Sequence, residues 1–299
     1  MLLSELLQEF TFNCECRRLS AKTTENYRKQ IQYLLDFLQD NYAVFNLGDV
    51  QAKYIQKFIV EKTQAGRKPS YVNDLLKAFK VCFKYAFEEG YTPELITEKI
   101  KNVKEPKVII RTFSKAEIRR MLNCYTGLDF FDIRNRMILI LFFETGIRYA
   151  ELAGLTDAQI HDEYILIHGK GDKERIVPNT PIIAKWLHKY IRTRNNYFGS
   201  EHFNTLFVSR YNTRLSHSAI SNIIKDAGEF AGVKDDIRVS AHTLRHTFSQ
   251  QQLKNGLDIY SLSRILGHEN IAITQRYLEG MRDEDIIKSA KTTSTIMNL

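Results

Sequence analysis

Three short stretches of this 299-residue chain crowd together side chains suited to an anionic substrate. They are Glu144-Thr145-Gly146-Ile147-Arg148-Tyr149-Ala150-Glu151-Leu152, Ser240-Ala241-His242-Thr243-Leu244-Arg245-His246-Thr247-Phe248, and Leu266-Gly267-His268 with Tyr277 nine residues further on. An arginine guanidinium is a planar, permanently charged fork of donors, so Arg148 and Arg245 fit the paired oxygens of a phosphate. Histidine takes or gives a proton near neutral pH, and a tyrosine hydroxyl is a nucleophile once its proton has an acceptor. Scattered, such residues are solvated surface; crowded, they point to one site. His242 and His246 also have the four-residue spacing of a zinc-binding helix. The general-base Glu of that pattern is missing, however, and Arg245 puts a cation where a metal would be repelled, so no metal is expected.

The elements that must hold these groups can be read from periodicity. From Ser20 to about Lys104 the apolar residues recur at helical spacing. Tyr27, Ile31, Leu34, Leu35 and Leu38 form one stripe; Val50, Tyr54, Ile55, Phe58 and Ile59 form a second, with Asp49 as its capping candidate. A third helix is predicted from Pro69-Ser70 to Gly90. The polar segment Lys101-Asn102-Val103-Lys104-Glu105-Pro106-Lys107 reads as a linker, which places the domains at 1–106 and 107–299. The second opens with the capping box Ser114-Lys115-Ala116-Glu117 and an apolar helix around Met137 to Phe143. The period then changes to that of a hairpin, Tyr164 to His168 and Arg175 to Pro178. Helical patterns resume over Ala219 to Phe230, Thr243 to Asn255 and Ile259 to Leu266. The predicted fold class is mainly α with a small β-hairpin.

Composition agrees with a folded chain and suggests its partner. Hydrophobic residues make up 43% and charged residues 26%, which suits packed cores and excludes a disordered or fibrous chain. Lys and Arg total 43 against 35 Asp and Glu, and the net charge of +8 fits a polyanion. Cys14, Cys16, Cys82 and Cys124 lack zinc spacing and are expected to be reduced and mostly packed. The apolar run Met137 to Phe143 is too short to span a bilayer, and the amino terminus lacks the basic region of a secretory signal. A cytoplasmic protein without a membrane partner is expected.

The ordered set of motifs resembles the tyrosine recombinases, the phage integrase and Xer-type family of site-specific DNA recombinases, over nearly the whole chain. The resemblance implies an N-terminal helical core-binding domain and a C-terminal catalytic domain that ends in an exchange helix. Carried over by position, the catalytic residues are Arg148, Lys170, His242, Arg245, His268 and the nucleophile Tyr277, with Glu151 in support. Tyr277 would attack a DNA phosphodiester and leave a 3′-phosphotyrosyl bond and a free 5′ hydroxyl. Only about one unperturbed tyrosine in a thousand is ionised at pH 7, so the attack needs a base, for which His242 is the candidate. Lys170, between Gly169 and Gly171 at the hairpin tip, would protonate the departing oxygen. Arg148 and Arg245 would neutralise the transition state, His268 would hydrogen-bond the phosphate, and no cofactor is needed. Leu278 and the stretch Ser249-Gln250-Gln251-Gln252 depart from the family pattern and leave the subfamily open.

The same resemblance implies a duplex recombination site as the partner, a homotetramer on the DNA synapse and, as an optional third party, an accessory DNA-bending protein. Candidate DNA contacts are Arg67, Lys68, Ser70 and Asn73 near the third helix, with Lys173 and Arg175 in the hairpin. Two other classes share these residues. A DNA-binding regulator without catalysis needs only the charge and the helices. A type IB topoisomerase-like or telomere-resolvase enzyme would use the same phosphotyrosyl chemistry.

Overall fold

The structure is a computed structural model that describes residues 1–106, 111–169, 173–199, 203–268, 270–275 and 277. The chain divides into two compact units, Met1–Lys107 and Val108–Leu299. The first is built from helices α1 (Leu3–Cys16), α2 (Ala21–Tyr42), α3 (Ala52–Gln64) and α4 (Pro69–Glu88). Helix α2 starts where the Ser20 hydroxyl accepts the Thr23 amide, and α4 where Pro69 supplies the helical φ without losing a needed donor. Their apolar stripes meet in a core of Leu34, Leu38, Phe58 and Phe79, where the Phe58 ring packs edge-on against Phe37 and Phe79. Asp49 does not cap α3. It closes a 3-10 turn, Leu47–Asp49, and Gln51 takes the cap position. Helix α1, not foreseen from the pattern, buries Leu3, Leu6, Leu7, Phe10 and Cys14.

The second unit runs α5 (Lys115–Leu122), α6 (Phe130–Thr145), α7 (Tyr149–Gly154), β1 (Tyr164–His168), β2 (Glu174–Pro178), α8 (Pro181–Phe198), α9 (His217–Phe230), α10 (Ala241–Lys254), α11 (Ile259–Leu266) and α12 (Ile271–Gln275). The Ser114–Glu117 capping box forms: the hydroxyl accepts the Glu117 amide and the carboxylate accepts the Ser114 amide. Strands β1 and β2 pair antiparallel, with Ile165 opposite Val177 and Ile167 opposite Arg175. Those four side chains therefore share one face of the pleat. Helix α8 packs on α6 and buries Ile183, Leu187, Tyr190 and Arg194 at helical spacing.

Helix α10 carries two of the chemistry-bearing residues and is buried on every side from Thr243 to Gln250. Its polar side chains are satisfied in place. Thr247 and Ser249 donate to the carbonyls of Thr243 and Arg245, and Gln250 accepts from Thr112. The departure from an apolar pattern at Ser249-Gln250 thus has a structural cause. Among the described residues, no helix is long and apolar enough to cross a membrane.

Candidate active site

Arg148 stands at the cap position of α7, where its amide donates to Glu151 Oε2 at 2.7 Å and its Nη1 to Oε1 at 2.8 Å. Glu151 also receives both terminal nitrogens of Arg175, at 2.8 and 2.7 Å. The carboxylate is a buried hub, 5% exposed, between an inner arginine at 8% and an outer one at 42%. Burial alone would raise its pKa; hydrogen bonds and charge from Arg175, then Arg148, overcome this and hold it at about 2.

Arg175 was expected on DNA, but the strand register turns it inward, where Nε also donates to the Ile265 carbonyl at 2.7 Å. Glu151→Gln leaves that guanidinium without its counter-charge and is expected to cost about 3 kcal/mol in urea unfolding at pH 7. Because the folded pKa lies below its ordinary 4.5, this stabilisation is complete above that pH and fades as pH falls toward 2. Wild type and variant should therefore converge in acid. Equal stabilities at pH 7 would remove Glu151 from this role.

Arg245 is held by the ends of two helices. Its Nη1 donates to the Gly146 carbonyl and its Nη2 to the Leu266 carbonyl, both at 2.7 Å. These oxygens belong to the C-termini of α6 and α11, where unpaired carbonyls and the helix dipole favour a cation. Each helix stops at a glycine with positive φ: Gly146 at 59° and Gly267 at 65°. Both must lack a side chain. A Cβ on Gly146 would lie 2.5 Å from Phe248 Cδ1, and one on Gly267 would lie 2.8 Å from Arg175 Cδ. Burial, then repulsion from Arg148, lowers the Arg245 pKa to about 10, so it stays charged at neutral pH.

Arg148, Arg245, His242 and His246 line one cavity of about 750 Å³, together with Arg238 and an ion pair between Arg111 and Asp236. Convergence of the two arginines on a cationic hollow is the geometry a phosphate requires. His268 Nε2 lies 3.0 Å from Arg245 Nη2, and its Nδ1 lies 2.8 Å from the Thr274 hydroxyl. Burial, then the charge of Arg245, pushes His268 down to about 4. Partial burial and the same guanidinium also lower His242, which stands at the exposed start of α10.

Tyr277 is only 4% exposed and packs with Phe248, Leu253, Leu262 and Leu266. Its ring centroid is 5.0 Å from His246 and 6.2 Å, nearly parallel, from His268. His246 in turn touches His242 at 4.2 Å. His246 is packed, but among the described residues its buried Nδ1 has no partner.

Lys170 lies outside the described residues; of its hairpin, the Gly169 amide donates to the Lys173 carbonyl at 2.7 Å. The exchange helix expected after Tyr277 also lies outside them. Arg67, Lys68, Ser70 and Lys173 are exposed. The Asn73 side chain is engaged within its own unit, donating to the Val103 carbonyl and to Glu105 and accepting the Val103 amide. Thr274 escaped the sequence reading, because a lone threonine in an apolar stretch carries no pattern of its own.

The two-arginine cavity, the hairpin and the histidines beside a tyrosine define the class. The chain belongs to the phage integrase family, which it matches over residues 111–282. Among its relatives, the tyrosine recombinase XerA of Pyrococcus horikoshii is 28% identical, over 98% of this chain and 96% of that protein. The fold is similar to that of the chain in a lambda integrase dimer bound to a COC′ core site (TM-score 0.77, 18% identity, covering 94% of this chain and 96% of the other). A lambda integrase tetramer bound to a Holliday junction superposes comparably (TM-score 0.75, 18% identity, 93% and 77%).

Proposed function

We infer that the chain is a site-specific DNA recombinase that cleaves and rejoins duplex DNA through a 3′-phosphotyrosyl intermediate. The observation that carries this reading is that Arg148 and Arg245, far apart in sequence, line one cavity with Tyr277 packed behind His246 at its side. Membership of the phage integrase family and the recombinase relative support it.

In this reading the scissile phosphate sits between the two guanidiniums, which stabilise the charge that grows on its nonbridging oxygens. Tyr277 Oη attacks phosphorus, the bond from phosphorus to the 5′ oxygen breaks, and the phenol proton passes to an imidazole. His242 is the acceptor, through or beside His246. Lys170 returns a proton to the departing 5′ oxygen, so the phosphodiester is exchanged and no energy source is needed. The bound anion favours the charged form of His268, which then donates to the phosphate. Since Tyr277 rests in an apolar seat, its segment must shift before the phenol can reach phosphorus. Four copies on two paired duplexes form the assembly, as the tetrameric lambda integrase suggests, and an accessory DNA-bending protein is compatible with it.

The test has two stages. Incubating the protein with fragmented host DNA and sequencing the fragments that stay attached after denaturation should recover a short shared site. A plasmid carrying two copies of that site should then exchange strands between them. Adduct formation with relaxation of a one-site plasmid and no exchange would indicate a topoisomerase instead; binding with no adduct would indicate a regulator.

A further inference from the structure

Thr274 is fully buried one turn before Tyr277, and it touches the site twice. Its hydroxyl meets His268 Nδ1 at 2.8 Å, and its carbonyl accepts the Tyr277 amide at 3.0 Å. The direction of the first bond follows from the other side of the ring. His268 Nε2 faces Arg245 Nη2 at 3.0 Å, and a guanidinium nitrogen only donates. Nε2 is therefore the acceptor, the ring proton is on Nδ1, and Nδ1 donates to the Thr274 oxygen. The opposite tautomer would set two N–H groups face to face across the Arg245 contact, whereas the hydroxyl, which can donate or accept, suits either.

We propose that Thr274 is a positioning residue, whose hydroxyl accepts the Nδ1 proton that Arg245 imposes and so holds the His268 ring in place, while its carbonyl ties that contact to the backbone of Tyr277 in the DNA-free protein. This rests on the recombinase reading and deepens it. With one ring proton anchored at Thr274, Nε2 is the nitrogen free to change state. It accepts from Arg245 in the DNA-free protein and, once protonated from solvent, donates to the phosphate without rotation of the ring. One residue thereby links the aim of the histidine to the nucleophile's backbone in the DNA-free protein. Outer hydrogen-bond partners of working histidines act in this way in other sites, where they fix tautomer and orientation.

Thr274→Val keeps the branched shape and removes the hydroxyl; Thr274→Ser keeps the hydroxyl. Two measurements decide between them. In the DNA-free protein, ¹⁵N NMR of the His268 ring, assigned by its loss in His268→Gln, should show Nδ1–H throughout, with the Nδ1 proton slow to exchange in wild type and Thr274→Ser and lost to exchange with water in Thr274→Val. In single-turnover cleavage of a nicked duplex carrying the recovered site, Thr274→Val should be slower by about 10- to 100-fold. Thr274→Ser should restore the rate, and His268→Gln with Thr274→Val should be no slower than His268→Gln alone. An Nε2–H wild-type ring, an unimpaired Thr274→Val or multiplying defects in the double variant would each overturn the proposal. Should Thr274→Val not fold, Thr274→Ala removes the same hydroxyl and takes its place in both measurements. If wild type forms no adduct on any DNA, the recombinase reading fails, while the tautomer measurement stands by itself.

Discussion

Tyr277→Phe is expected to abolish the covalent protein–DNA adduct, a loss of about 10⁶-fold of the kind that follows removal of a nucleophile, and to leave the fold and duplex binding in place. The change deletes one oxygen. The ring it leaves still fills the seat among Phe248, Leu253, Leu262 and Leu266, and the Tyr277 amide still donates to the Thr274 carbonyl. Thermal unfolding should not weaken, and a gel-shift assay at fixed salt should give wild-type affinity for the site. A variant that lost adduct and stability together would point to packing, and one that kept the adduct would remove Tyr277 from the chemistry.

The second large effect separates the two arginines. Arg245→Lys should slow cleavage about 10²- to 10³-fold, since an ammonium cannot present the planar fork to the phosphate. It should also lower stability by about 2 kcal/mol, because one amine cannot serve both the Gly146 and the Leu266 carbonyls that the guanidinium spans at the two helix ends. Arg148→Lys should match the loss of rate and show little loss of stability, roughly 0.5 kcal/mol, since its side chain is 42% exposed. Cleavage rates on a nicked duplex and urea denaturation of both variants test the contrast. Equal stability loss in the two would mean that burial does not distinguish their roles.

Much of this was visible in the sequence where local chemistry and long-range need agree. The Ser114–Glu117 box, Pro69 at the start of α4 and the apolar run inside α6 each declare an element by themselves, and each is there. The glycines before Arg148 and His268 could be seen as breaks, but their second purpose could not. They end helices whose last carbonyls grip Arg245 and make room for Phe248 and Arg175.

Arg175 shows where reading by charge misleads. Its strand alternates, with Ile176 at 59% exposed and Val177 at 1%. The pleat therefore sends the arginine to the buried side, where Glu151 compensates it. The alternation was present in Arg175-Ile176-Val177, but only the buried carboxylate makes an inward arginine tolerable, and that partner lies in another element. Helix α10 misleads in the opposite sense. Its hydroxyls and amides suggest a wet face, yet bonds to its own carbonyls and to Thr112 allow it to be buried all round. Thr274 was invisible for the same reason: its importance comes from what lies opposite.

Peptide mapping of the trapped adduct identifies the attacking side chain. Trypsin digestion of the protein trapped on a nicked duplex, followed by mass spectrometry, should find a single modified residue, Tyr277, esterified to a 3′ phosphate. Attachment through any other side chain, or to a 5′ phosphate, would contradict the assignment of this cavity and its tyrosine to strand exchange.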